Sequence, residues 1–446
     1  MSCPDATDLL ADFAAGRRDP VGAMEETLAR IEALDPLLNA HSARSATAMA
    51  EAEASAARWK AGTPMGPLDG LPVIVKDNLV SAGLPASWGN AELARRLPDQ
   101  DEVPVAALRR AGAIFTGKGN TPEFAVEGYT DNLTFGVTRN PHDPALTPGG
   151  SSGGVVAAVA AGMAFAGLGT DGGGSIRRPA GYTGLCGLKP GIGHVPRGGG
   201  LAQVLLDFEV AGPIARSLRD LRLLDAVLSG RRAAAAAPGR ARILAVARMP
   251  EAPCDPQIIA GFEAATEALR RAGHEVVEGG MPHDLAPLNA LWGRIGEIGL
   301  AHYFAQDPAV GKAAAPKYRE MAARGAAAPA IQLCEILGHV FALREAARGL
   351  WGYDAILTPA SAAQPWPAAE AFPPVIDGQE VGPRGHAVYT GWVNAAGLPG
   401  VAFPAPGQTG LPVGLQLVGP AGAEARLMAL AEQVAAPFRA PGLLAG

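Results

Sequence analysis

Residues 155–168 read VVAAVAAGMAFAGL, fourteen positions without a charge. Such a run has to be buried, yet it is shorter than the ~20 residues that cross a bilayer. It predicts a core helix opening directly after Gly154, and behind it a short buried strand at 166–170. Upstream, 71–76 (LPVIVK) is an apolar run of strand length. Residues 5–60 carry helical periodicity, through 24–34 and an Ala/Glu-rich stretch at 42–59. Residues 103–111 predict a helix and 113–117 a strand. Farther on, 241–248 reads as strand, 256–272 as helix, 274–277 as strand and 281–350 as mostly helical. This alternation is that of an α/β fold. RRAAAAAPGR at 231–240 is low in complexity and predicts a surface connection. No internal repeat is visible.

Composition narrows the class. A chain of 446 residues can bury a large core, and its length alone would allow two or three domains. The net charge is −6 and no Lys/Arg run marks a nucleic-acid track. No stretch reaches membrane-spanning length, and residues 1–20 hold acids with few consecutive apolar positions, so neither membrane insertion nor a signal peptide is expected. The four cysteines, Cys3, Cys186, Cys254 and Cys334, form no CxxC pair. They suggest neither zinc nor disulfides, and reduced thiols in the cytoplasm fit them best.

The buried run is bracketed by glycine clusters, each holding a serine: GGSSGG at 149–154 and DGGGS at 171–175. Gly/Ser-rich runs are usually flexible linkers. Two of them flanking an obligatorily buried element are not. Glycine lets backbone approach a ligand closely and bares consecutive N–H groups to negative charge. A serine in such a loop is placed to attack a carbonyl while neighbouring amides hold the oxyanion. Ser151 and Ser175 are 24 positions apart, and none of the eight histidines lies in either motif to serve as base.

These motifs closely resemble the amidase signature family. The matching segments are 73–78 (VIVKDN), GGSSGG, 169–180 (GTDGGGSIRRPA) and 184–190 (GLCGLKP). The likeness continues through 115–125, 139–144, 354–360, 394–400 and 411–420, and so covers most of the chain. It implies one large α/β domain over residues 1–446, with a central mixed β-sheet covered by helices on both sides. Within it would lie a helical N-terminal segment (about 1–60), a catalytic core (about 65–220) and a variable substrate-covering region (about 280–350).

The resemblance assigns catalysis to Ser175 as nucleophile, with Ser151 and Lys76 relaying its proton, and implies a cis bond between Gly150 and Ser151. Lys76 can accept a proton only when neutral, which burial favours, and its neighbours Val73, Ile74 and Val75 supply an apolar strand. Asp77 would face the opposite side of that strand. The oxyanion hole is expected from the N–H groups of Gly172, Gly173, Gly174 and Ser175, where Gly172-Gly173 replaces the commoner Thr-Gly or Ile-Gly. Ser152, Asp171 and Arg177 are expected to support these loops, together with Thr170. In malonamidase-like members an arginine at the Arg178 position binds a substrate carboxylate, and a guanidinium suits that task. The sequence leaves open whether Arg178 faces substrate or forms a salt bridge elsewhere.

The function implied is hydrolysis of a non-peptide amide C–N bond, with a small carboxylate-bearing amide among the open substrates beside aryl amides and carbamates. An alternative is the A-type subunit of a glutamine-dependent tRNA amidotransferase, which works with partner chains. Against it, residues 121–125 read TPEFA where that subunit usually has MDEFA. A non-catalytic scaffold is disfavoured by the intact Lys76, Ser151 and Ser175. The mechanism requires no metal or organic cofactor, and the partner expected is a small-molecule amide rather than nucleic acid or membrane; homodimerisation is left open. Residues 125–135 and 290–350 are expected to shape the pocket, with Tyr129, Trp292, Tyr303 and Phe304 as lining or core.

Overall fold

The computed structural model describes residues 5–231, 239–250, 252–408 and 410–442. Its strands are β1 (His41–Arg44), β2 (Pro72–Lys76), β3 (Ile114–Gly119), β4 (Ala166–Asp171), β5 (Cys186–Lys189), β6 (Val210–Ala215), β7 (Arg242–Ala245), β8 (Glu275–Glu278), β9 (Ala355–Pro359), β10 (Val375–Ile376), β11 (Gln379–Glu380), β12 (Gly400–Pro404) and β13 (Gly414–Val418). All but the β10–β11 hairpin join one sheet of eleven strands, in the order β1-β3-β2-β4-β6-β5-β12-β13-β9-β7-β8. Parallel pairing links β3, β2 and β4 on one side and β9, β7 and β8 on the other. The remaining junctions are antiparallel.

Period-2 alternation sorts the strand side chains between two faces. Val73 and Val75 join one core with Leu168, Leu188, Val105 and Leu221, under the helices Val103–Arg110 and Leu218–Ser229. Ile74, between them, joins a second core with Ile214, Ile31 and the helix Gly153–Ala160. Lys76, two residues beyond Ile74, continues that second face. The sheet is thus a mixed one, flanked by helices, as the resemblance implies.

The helix Gly153–Ala160 is buried at all eight positions, which its uniformly apolar sequence requires. It lies against β2, β3 and β4. Gly154 permits this contact, because a side chain there would collide with the Asn120 and Ala40 backbones. The helix is shorter than the one expected over 155–168. Gly162 takes φ +76°, a left-handed conformation that ends the helix as a glycine past the C-cap does. The chain then turns straight into β4.

A second difference is β1, which lies inside the stretch expected to be wholly helical. HSAR has no strand pattern of its own, and pairing with β3 makes it a strand. The helices Pro20–Leu38 and Ala48–Lys60 flank it. Asn39 at φ +51° stops the first of them. Of the low-complexity segment, 232–238 lies outside the described residues. The expected helical region resolves into Ala286–Gln306, Pro308–Ala313, Pro316–Ala326 and Ala330–Ala347. Among the described residues no single helix is long and apolar enough to cross a membrane, although one bent pair passes by length and composition.

Candidate active site

β2 and β4 are parallel neighbours, so their C-terminal ends emerge together, where open α/β sheets place their ligands. Lys76 closes β2 and Asp171 closes β4. The GGSSGG loop enters the helix Gly153–Ala160 beside them, through a cis peptide between Gly150 and Ser151. Lys76 Nζ lies 2.8 Å from Ser151 Oγ, 2.7 Å from Thr170 Oγ1 and 3.3 Å from the Thr170 carbonyl. Folding has therefore joined Lys76 and Ser151 across 75 residues of sequence. A neutral amine has two N–H donors and one lone pair. With both donors on Thr170, the lone pair is left for the Ser151 hydroxyl proton.

Lys76 is fully buried. Burial pushes its pKa down to about 8, the carboxylates of Glu209 and Asp171 hold it from falling further, and Arg197 adds to the depression. Asp77 stays out of this balance. It accepts from the Ser87 hydroxyl and faces the charge of the equally buried Lys118. Asn78 links the two sides of the site, donating to Thr170 Oγ1 at 3.0 Å and to Glu209 at 3.3 Å.

Ser175 is the most accessible of the site hydroxyls, 6% exposed against 1% for Ser151 and none for Ser152. Ser152 ties the two serine loops together: its N–H donates to the Ser175 carbonyl at 3.3 Å and its hydroxyl to the Thr170 carbonyl at 3.3 Å. The Lys76–Ser151 contact is a closed hydrogen bond, whereas Ser175 Oγ takes no hydrogen-bond partner among the described residues.

The glycine loop between Asp171 and Ser175 is fastened by a buried charge pair. Arg177 donates to Asp171 from Nε and Nη2, both at 2.9 Å, with both side chains wholly buried. Asn394 also donates to Asp171 at 2.9 Å. Burial opposes ionisation of Asp171, but the Arg177 guanidinium and these bonds hold its carboxyl well below the usual range.

Gly174 needs a correction. Its N–H is spent on Asp171 Oδ1 at 2.6 Å, so it has no free donor for an oxyanion. The carbonyl on the other side of that peptide, that of Gly173, accepts from Arg178 Nη1 at 2.7 Å and from the Thr390 hydroxyl at 2.7 Å. One peptide unit is therefore gripped at both ends. Only glycine fits at 174, with φ +119° and Thr390 and Arg178 packed against it. The N–H groups of Gly172, Gly173 and Ser175 take no acceptor among the described residues.

Arg178 forms no salt bridge among the described residues. Nη1 is also 2.9 Å from the Thr390 hydroxyl, and Nε is buried without a partner. The residue lines a cavity of about 110 Å³ together with Ser175, Gly172, Gly173, Trp292, Arg384 and His386. A separate hollow of about 490 Å³, near His142 and Pro404, contains none of these groups. Of the aromatic residues considered from sequence, Trp292 faces the cavity. Tyr303 and Phe304 pack around Phe124, and Tyr129 bonds Lys317 at 2.7 Å. Arg384, His386 and Thr390 lie in weakly patterned sequence over 200 positions from Ser175 and carry no motif, while Asn394 opens the matching segment 394–400 without a role assigned to it there.

The buried pair yields a stability prediction. Arg177→Met leaves the Asp171 carboxylate uncompensated in the interior, which costs about 3–5 kcal/mol. Urea unfolding at pH 7 reads this as a lower midpoint with an unchanged slope. Because the folded carboxyl titrates below its unfolded value, its contribution is complete above the ordinary carboxylate range and is lost as pH falls below it. A variant within about 1 kcal/mol of the parent would mean that the pair contributes little.

The sequence model of the Amidase family matches residues 23–428. The A-type subunit of the glutamyl-tRNA(Gln) amidotransferase of Symbiobacterium thermophilum is 33% identical, over 94% of this chain and 93% of its own. Among solved structures, one described as an amidase superposes with TM-score 0.88 at 30% identity, covering 96% of this chain and 99% of its own. A 6-aminohexanoate cyclic dimer hydrolase gives TM-score 0.88 at 26% identity, covering 99% of both chains. With the fold, the paired glycine loops and these likenesses in agreement, the chain belongs to the Amidase family of amidase signature enzymes and is an amide hydrolase.

Proposed function

We propose that this enzyme cleaves a non-peptide amide C–N bond through an acyl-enzyme on Ser175, with Ser151 and Lys76 as its proton relay. The observation that carries the reading is the buried Lys76 amine at 2.8 Å from Ser151 Oγ, with its pKa lowered to about 8. Ser175 Oγ attacks the amide carbonyl as its proton passes to Ser151, whose own proton passes to neutral Lys76. The resulting oxyanion is held by the free N–H groups of Gly172, Gly173 and Ser175. Lys76 returns the proton through Ser151 to the departing nitrogen, and ammonia or an amine leaves. Water then attacks the acyl-enzyme, giving its proton to the same relay, and the acid is released with Ser175 restored.

Arg178 supports a small carboxylate-bearing amide as substrate. Nη1 is committed to the glycine loop, but Nε has no partner and the residue lines the cavity. The helices Ala286–Gln306 to Ala330–Ala347 act in this reading as the substrate cover, supported by Trp292 in the cavity wall. A cytoplasmic location fits the unpaired Cys186, Cys254 and Cys334.

The test is ammonia release from paired amides, each neutral compound beside its carboxylate-bearing analogue, with Ser175→Ala as blank. The carboxylate-bearing partner is expected to turn over faster, and Arg178→Ala to lower that preference roughly 10–100-fold. Faster turnover of the neutral partners would reject the anionic substrate while leaving amide hydrolysis intact. A second reading, the A-type amidotransferase subunit, is favoured by the 33% identical relative. Against it stand TPEFA at 121–125 and Arg178. Copurification with partner chains, together with no turnover by the isolated chain, would select it.

A further inference from the structure

The Ser175 cavity contains more positive charge than the loop chemistry requires. Arg178 and Arg384 both line it, and among the described residues neither guanidinium has a carboxylate within ion-pair distance. Glu127, an acid in the same wall, is already taken by Lys317 at 3.1 Å. Arg384 lies with its guanidinium 5.0 Å from the Trp292 ring centre, a contact that helps fix its position while its N–H groups take no protein partner among the described residues. Trp292 in turn packs against Gly173 and Gly391. Arg384 keeps an exposed edge, but desolvation of its guanidinium and then the Arg178 charge push it down to about 9, which leaves it cationic at neutral pH.

His386, beside the unpartnered Nε of Arg178, is a second buried polar group without a partner. It is 3% exposed, and neither ring nitrogen has a hydrogen-bond partner among the described residues. Burial, and then the charges of Arg178 and Arg384, keep its ring neutral. Buried polar groups are normally satisfied, so Nε of Arg178 and the His386 ring together mark a place built for an acceptor-rich group. Arg384 also lines a neighbouring outer hollow of about 540 Å³, and so stands where that hollow meets the Ser175 cavity.

We propose that Arg384 is a specificity residue that, with Arg178 and His386, forms an anion-binding wall for the carboxylate of a short amide substrate. The inference rests on the amide-hydrolase reading of Ser175 and adds to it the groups that select the acyl part. Arg384 meets the anion at the doorway and Arg178 holds it beside the oxyanion loop. A carboxylate, with two oxygens and several lone pairs, can satisfy both guanidinium groups and one imidazole N–H at once. The same wall accommodates the product of a monoamide, a short dicarboxylate.

The experiment separates this from turnover. Malonate and succinate, with neutral malonamide as comparison, are titrated calorimetrically into the Ser175→Ala protein and into its Arg384→Gln and Arg384→Lys derivatives. The dianions are expected to bind more tightly than malonamide, to weaken as KCl rises, and to weaken roughly 10–100-fold in Arg384→Gln, with Arg384→Lys recovering part of the loss. In the active enzyme, Arg384→Gln should lower the kcat/KM ratio of carboxylate-bearing to neutral amide by a similar factor, mainly through KM. Dianion affinity that is unchanged in Arg384→Gln, or no dianion binding to the parent, overturns the proposal even if amides are hydrolysed. Conversely, Arg384-dependent dianion binding without amide turnover would leave the wall standing and reject the hydrolytic reading of Ser175.

Discussion

Replacing Ser175 by Ala is expected to lower kcat/KM by roughly 10⁴–10⁶-fold for any amide the enzyme accepts, because residues that act as one relay, as proposed for Ser175, Ser151 and Lys76, fail together. Ser175 is the hydroxyl that reaches the cavity, whereas Ser151 and Ser152 are sealed beneath it. Neither can take over the attack without rebuilding the loop. The alanine variant should fold normally, since the Ser152–Ser175 tie uses the Ser175 carbonyl and not its hydroxyl. A fluorophosphonate probe should label the parent on the peptide carrying residue 175 and leave the variant unlabelled. Ser151→Ala should label more slowly, its nucleophile intact but its path to Lys76 cut. A Ser175→Ala protein that keeps turnover within about tenfold of the parent would remove Ser175 from the chemistry.

Lys76→Met is expected to lower turnover roughly 10²–10⁴-fold, the range a positioned general base supplies. The pH profile shows whether that loss is a lost base. In the proposed relay Lys76 must be unprotonated to receive the proton, and burial lowers its pKa to about 8. Activity of the parent should therefore rise with pH and level off above that value. In Lys76→Met this limb should disappear from the small residual rate. Glu209 provides an independent handle, because its carboxylate favours the charged amine. Glu209→Gln should move the limb to lower pH. A profile that falls through this region, or a limb unmoved by both changes, would show that some other group titrates.

The local parts on which the catalytic proposal is built are legible in residue order. Serines in two glycine clusters, an uncharged run between them and an apolar strand ending in Lys76 are local features, and each survives folding as β2, β4 and the helix Gly153–Ala160. An apolar run signals burial equally in helix and strand, so 155–168 predicts a longer helix than Gly153–Ala160. Only the left-handed Gly162 divides them. Strand β1 was missed because its four residues have no apolar alternation, and its structure comes from a partner 76 residues away, as in the bond from Ser42 to the Lys118 carbonyl.

Other features depend on where distant side chains meet. Four candidate donors stood in the glycine loop, and nothing in GTDGGGS says that one of them faces inward. The fold decides it, because the carboxylate of Asp171 reaches the N–H of Gly174 while Arg178 and Thr390 hold the adjoining carbonyl. Arg178 likewise had two readings from its position, and the structure gives it a loop bond together with a face on the cavity. Arg384 and His386 carry no motif, and become site residues only when the chain after β11 returns beside Trp292. Residue order thus settles which local conformations and chemical groups are available, because glycine freedom and apolar periodicity act within a few residues, while the roles expected of Lys76, Ser151 and Ser175 came from the family resemblance. Burial, unpaired charge and the state of Lys76 depend on neighbours distant in sequence, the nearest partner of the Lys76 amine being 75 positions away, so only the packed chain decides them.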